Sequence, residues 1–205
     1  MNYLAHIYLS QCARQCIVGA VLGDFVKGRQ FSEYPDSIRT AISLHRAIDR
    51  YTDSHPVIKQ SYALVKPERR RFAGILTDIF FDHFLAKLWT SYHRLPLQEF
   101  ESNVYNTLQQ YTGPKPSQFE NLVTHMSRQR WLHAYARMDG IERAVHGIYR
   151  RLQHHSKAKV LLGAGEELRD HYDEFENLFK QFFPAVVAFS RATASTGVNN
   201  TPTTR

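Results

Sequence analysis

The stretch Phe72-Ala73-Gly74-Ile75-Leu76-Thr77-Asp78-Ile79-Phe80-Phe81-Asp82-His83-Phe84 decides the fold. Its large apolar residues Phe72, Ile75, Leu76, Ile79, Phe80 and Phe84 recur at three and four positions, the period of a helical face, and not at two. The spacing predicts one long amphipathic helix over about 67–92, with Pro67 in the first turn, where its missing N–H leaves no bond unmade. The same period continues outward. A helix carrying Phe100, Val104 and Leu108 closes at Gly113, and further helices are expected around 117–131, 139–155 and 165–189, punctuated by Pro96, Pro114 and Pro116. No convincing strand is present and nothing repeats at a fixed period. The expected fold class is therefore all-α: a single compact helical domain over 1–190, followed by a flexible tail over 191–205, whose Ser, Thr, Asn and Gly residues have almost nothing to bury.

The 205 residues, 43% of them hydrophobic, are enough for one core. Cys12 and Cys16 stand four apart on one helical face, too close to staple distant segments, so a reducing compartment is expected. The apolar run Ile17 to Leu22 is short and is followed by Asp24, which argues against a signal peptide and a spanning helix. The expected location is cytoplasmic, with no membrane association. A net charge of +7, with 11 histidines besides, suits polyanionic partners. The basic residues form no long tract, which speaks against nucleic acid; the densest group is Lys66, Arg69, Arg70 and Arg71.

The first 85 residues carry acids and imidazoles inside otherwise apolar helices, a placement that costs free energy unless something pairs with them. Asp24 follows Ile17, Val18, Ala20, Val21 and Leu22 in an apolar segment. His45 and Asp49 are four apart, as are Asp78 and Asp82, so each pair shares a face with side chains about 5–6 Å apart. His83 adds an imidazole beside Asp82, and His6 lies in another apolar run. Each residue has a structural use open to it: His6 as a core histidine, Asp49 paired with Arg46 or Arg50, Asp53 as a helix cap, Asp78 and Asp82 paired with Arg71 or Lys87. One divalent cation would satisfy several of them together. Asp24, His45, Asp78 and Asp82 are the first candidates for ligands, His6 and His83 the next, and Asp49 is expected to orient His45 or Arg46 from behind them. Oxygen donors with one or two imidazoles suit Mn²⁺, with Mg²⁺ or Fe²⁺ as substitutes. Such an ion lowers the pKa of a bound water and offsets charge on a phosphoryl oxygen, while Lys27, Arg46 or Arg50 grips the remaining oxygens. The expected catalytic group is Asp24, His45, Arg46, Asp49 and Asp78.

Four ordered blocks carry a resemblance: Met1-Asn2-Tyr3-Leu4-Ala5-His6, Gly23-Asp24-Phe25-Val26-Lys27-Gly28, the run from His45 to Pro56, and Asp78 to Phe84. With Trp131-Leu132, Tyr135 and Met138-Asp139-Gly140-Ile141, they resemble the bacterial acyl carrier protein phosphodiesterase family along nearly the whole chain up to the tail. The resemblance implies an HD-like helical bundle, distantly related to the HD-type metal phosphohydrolases, and Mn²⁺-dependent hydrolysis of the phosphodiester joining 4′-phosphopantetheine to a serine of holo-acyl carrier protein. The sequence has no His-Asp dipeptide, only the reverse order at Asp82-His83 and Asp170-His171, so the choice of ligands rests on helical geometry. The implied partner is an acidic carrier protein, which gives the basic surface a use: Arg69, Arg70 and Arg71, with Lys66, Arg128 and Arg130, form a candidate rim. Two other readings stay open, an HD-type nucleotide or alarmone phosphohydrolase and a non-catalytic basic helical module binding carrier protein or nucleic acid. Oligomeric state is left open.

Overall fold

The structure is a computed structural model that describes residues 1–28, 32–152, 154 and 157–196. In chain order its helices are α1 (Tyr3–Cys12), α2 (Ile17–Leu22), α3 (Asp36–Ser54), α4 (Pro56–Ala63), α5 (Ala73–Lys87), α6 (Leu97–Gln109), α7 (Ser117–Gln129), α8 (Trp131–Ala134), α9 (Met138–Leu152), α10 (Gly165–Asp170) and α11 (Tyr172–Thr196). Short 3₁₀ turns stand at Pro67–Phe72, Trp89–Ser91 and Ala158–Leu161, and no strand occurs among the described residues. The all-α expectation is met.

The deciding stretch forms a helix, but not an amphipathic one. α5 packs against α1, α4, α9 and α11, and its sides are buried nearly all round, as befits a helix apolar on every face. Phe80, Phe81 and Phe84 meet Phe175, Phe179 and Phe182 of α11, in two edge-to-face and two tilted pairs, with ring centroids 5.1 to 6.0 Å apart. The expected 67–92 helix is shorter because Pro67–Phe72 winds as a 3₁₀ turn and Leu88 ends the α-helical run. The predicted 165–189 helix divides at His171 into α10 and α11. α11 then continues to Thr196, past Arg191, where the tail was expected to begin; residues 197–205 lie outside the described residues.

Two approaches position the site. Gly19 lets α2 lie directly on α3, since a Cβ there would stand 2.5 Å from Ala41 Cβ and 2.8 Å from the Ile38 carbonyl. Asp82 in α5 holds the start of α1: its two carboxylate oxygens accept hydrogen bonds from the Leu4 and Ala5 amides at 2.9 and 3.0 Å. Those amides are among the donors that a helix N-terminus leaves without intrahelical partners, so a buried acid satisfies them from 77 and 78 residues away. α1 and α3 are thereby fixed side by side.

Candidate metal centre

His6 of α1 and His45 of α3 stack with ring centroids 3.8 Å apart and planes 16° from parallel. Both rings are buried, and the carboxylate of Asp49, one helical turn beyond His45, bridges their Nε2 edges. Asp49 Oδ1 lies 3.0 Å from His6 Nε2, and Oδ2 lies 3.2 Å from His45 Nε2. The three side chains each offer a donor atom within 4.8 Å of the others. Asp24, in the turn after α2, brings Oδ1 to 3.5 Å from His45 Nε2 and is 47% exposed, so it forms the solvent side. The α-amine of Met1 lies 3.1 Å from Asp78 Oδ1 and 3.6 Å from Asp49 Oδ1. His45 Nδ1 lies 2.7 Å from the Ala20 carbonyl. An N–H donated there leaves Nε2 facing the carboxylates, the orientation a metal-binding histidine needs.

The charges are strongly coupled. Burial works against a charged His45, yet hydrogen bonds and the negative charge of Asp24 and Asp49 outweigh it and lift its pKa to about 9. Burial, followed by the positive charge on His45, pushes His6 down to about 4. Burial would raise Asp49, but hydrogen bonds with His45 and His6 hold it far below the usual carboxylate range. Asp24 is likewise lowered, burial being outweighed by His45. His45 is therefore a buried cation braced by two carboxylates, and a divalent ion bound to its Nε2 would replace that proton. The Nδ1 of His6 is buried with no hydrogen-bond partner.

Several expectations need correcting. Asp49, expected to support from behind, is at the centre. Asp78 points to the same cluster but faces the α-amine, and burial raises its pKa. Asp82 is 0% exposed and both its oxygens are committed to the start of α1, so it seats a helix and does not face His45. Burial pushes its carboxyl up to about 7, the Leu4 and Ala5 amides acting in opposition. His83, one residue on, turns about 100° away around the helix: its Nδ1 bonds the Tyr135 carbonyl at 2.8 Å and its Nε2 the Tyr172 hydroxyl at 2.8 Å. With both nitrogens taken, it is a core histidine.

The cations also differ. Arg46 donates to the carbonyls of Val26 and Gly28, bracing the loop after Asp24 instead of standing open to a phosphate. Lys27 and Arg50 are exposed. Arg69 is 12% exposed and pairs with the fully buried Glu167 at 2.8 Å, while also donating to the carbonyls of Val160 and Leu162. It locks the 3₁₀ turn at Pro67–Phe72 to the C-terminal part of the chain and is not a docking residue. Arg70 and Arg71 remain exposed. Arg130, with the left-handed φ of 50°, grips the buried Glu101.

The site also contains residues that the pattern of acids and histidines did not point to. Gly23 lies against His45: a Cβ there would be 2.3 Å from the ring Cγ. Tyr3, one turn before His6, lies near Asp24 and Arg151 of α9, and its hydroxyl pKa is raised by burial and by Asp24. The i,i+3 spacing of Tyr3 and His6 was a visible signal for the first; Arg151 left none.

A model of the family described as acyl carrier protein phosphodiesterase matches residues 1–186 of the chain. Among similar proteins, one named acyl carrier protein phosphodiesterase from Enterobacter sp. (strain 638) is 34% identical over 188 residues, 91% of this chain and 96% of the relative. Its namesake from Pectobacterium atrosepticum is 33% identical over 192 residues, 93% and 98% of the two chains. A third, from Klebsiella pneumoniae subsp. pneumoniae, is 33% identical over 188 residues, covering 91% and 96%. No solved structure matches. No described helix is long and apolar enough to cross a membrane.

Proposed function

Because this chain belongs to the acyl carrier protein phosphodiesterase family, we propose that it hydrolyses the phosphodiester between 4′-phosphopantetheine and a serine of holo-acyl carrier protein, giving apo-carrier and free 4′-phosphopantetheine. The observation that carries this reading is the convergence of His6, His45 and Asp49 from two helices onto donor atoms within 4.8 Å, with Asp24 on the solvent side. The partner is an acidic carrier protein and the reaction belongs in the cytoplasm, in keeping with two free cysteines.

The donor set fits a divalent metal. His6 Nε2, His45 Nε2 and the Asp49 carboxylate would hold it, since these donors converge from two helices. Two imidazoles with a carboxylate favour Mn²⁺ or Fe²⁺ over Mg²⁺, which prefers oxygen throughout. When bound, such an ion supplies Lewis acidity, lowering the pKa of water and offsetting phosphoryl charge.

The protein's own groups do the rest. Asp24 is the more exposed of the two carboxylates beside His45 and can take a proton from an attacking water on the open side. Asp49 fixes both imidazoles in one orientation, and the Ala20 carbonyl fixes the tautomer of His45. Arg46 keeps the loop after Asp24 in place. Arg151, which acts on Tyr3, and the exposed Lys27 are candidate cations to receive phosphate oxygens.

Purified protein incubated with holo-carrier and Mn²⁺ should lower the carrier's mass by that of 4′-phosphopantetheine less one water. Chelator, His45→Ala or Asp49→Ala should abolish the change. Retention of the prosthetic group by the wild-type protein under every divalent ion offered would reject the reading.

A further inference from the structure

A cavity of about 410 Å³ opens beside the metal-capable cluster, between α1, α7, α8 and α9, with α5 as its floor. Tyr3, Ile79, Leu122, Trp131, Gly147 and Arg151 are among its walls. Its volume lies in the range of about 300–1,000 Å³ that small-molecule sites occupy, and its lining mixes apolar side chains with polar ones, Arg143, Arg150 and Arg151 among them. Tyr3 links it to the site described above. This side chain forms a wall and lies near both Asp24 and Arg151, and Asp24 in turn is 3.5 Å from His45 Nε2.

The two glycines of α9 on this wall differ in kind. Gly140 is required by packing, because a Cβ there would stand 1.9 Å from the Ala134 carbonyl oxygen. Gly147 is not: a Cβ there would have nothing within 4 Å. A glycine inside a helix lowers stability relative to alanine, so packing leaves Gly147 unexplained, whereas an open wall explains it. A side chain at 147 would enter the cavity.

We propose that this cavity receives the pantetheine arm of the prosthetic group, with the phosphate toward Tyr3 and Arg151 and the arm passing Gly147 toward Trp131. The proposal rests on the functional reading above and names the subsite that reading lacks. The chemistry matches: the arm is a flexible chain with a gem-dimethyl group, amides and a thiol, which suits apolar walls carrying scattered hydrogen-bonding groups, and its single strong charge belongs at the cationic end.

Trp131 is a wall residue and therefore a reporter. Titrating the full-length protein with free 4′-phosphopantetheine should change Trp131 emission saturably. Gly147→Phe should raise the dissociation constant at least about tenfold, and KM for holo-carrier in parallel, with the thermal unfolding midpoint close to wild type. Gly147→Leu serves the same purpose if phenylalanine costs the fold. A folded Gly147→Phe or Gly147→Leu protein that binds 4′-phosphopantetheine as wild type does would overturn the proposal, as would a wild-type protein whose emission never responds. Wild-type protein that binds the free arm at this wall but never releases it from holo-carrier would sink the functional reading and leave the cavity assignment standing. Release by the wild type with no effect of filling the wall does the reverse.

Discussion

Replacing Asp82 by asparagine separates the two roles open to a buried acid in α5, a ligand to a cation or a seat for α1. The side chain is fully buried and accepts from the Leu4 and Ala5 amides at 2.9 and 3.0 Å. Asparagine keeps the volume and one acceptor oxygen, but turns an NH₂ group toward the second amide, so one buried N–H loses its partner at a cost of about 1–3 kcal/mol. The pH dependence runs the other way. Burial raises the Asp82 carboxyl to about 7, well above the unfolded value of about 3.9. The native state thus holds a proton that the unfolded state has lost, and this contribution is fully present below about pH 4 and fades as pH rises through about 7. A shift of about three pKa units corresponds to about 4 kcal/mol at most. In metal-free protein, urea unfolding at pH 5 should therefore show Asp82→Asn less stable by about 1–3 kcal/mol, with the deficit closing or reversing by pH 8. The affinity for Mn²⁺ and the release of prosthetic group per folded molecule should stay near wild type. A folded Asp82→Asn protein that no longer binds Mn²⁺ would refute the reasoning and restore Asp82 as a ligand.

The remaining predictions follow from contacts of the same kind. Arg69→Ala should lower the unfolding free energy by about 3–5 kcal/mol, because it leaves the buried Glu167 without its cation; an unchanged midpoint in thermal denaturation would show that the pair is not structural. Gly23→Ala should push the His45 ring aside and weaken Mn²⁺ binding about 10–100-fold with the helical content unchanged, and calorimetric titration showing wild-type affinity would contradict the contact. Binding at His45 Nε2 displaces a proton held with a pKa of about 9, so Mn²⁺ affinity should climb by up to about tenfold per pH unit from pH 7 and level off above about 9. In the metal-free protein the stability contributed by the charged His45 is fully present below about pH 6.5 and is lost as pH rises through about 9. A flat affinity profile over that interval would mean that His45 is not a ligand.

The helical period of Phe72 to Phe84 was legible, and so was the pairing of His45 with Asp49, since both depend only on spacing along one helix. The orientation of α5 was not. Asp78, Asp82 and His83 look alike in the sequence, but in a helix buried all round each faces a different neighbour: the α-amine, the start of α1, and Tyr135 with Tyr172. His6 ranked behind the acids because its partner stands on another helix, and the stacking that makes it central is a tertiary contact. Arg69 read as a surface cation because its carboxylate lies 98 residues away. Arg151 acts on Tyr3 across an even longer separation, from the far end of α9.

Crystals of the protein grown with Mn²⁺, measured at wavelengths either side of the manganese absorption edge, give the most direct test. An anomalous peak within bonding distance of His6 Nε2, His45 Nε2 and the Asp49 carboxylate is the predicted result. A peak only at exposed carboxylates elsewhere, with the His45 and Asp49 side chains still bonded to each other, would contradict it.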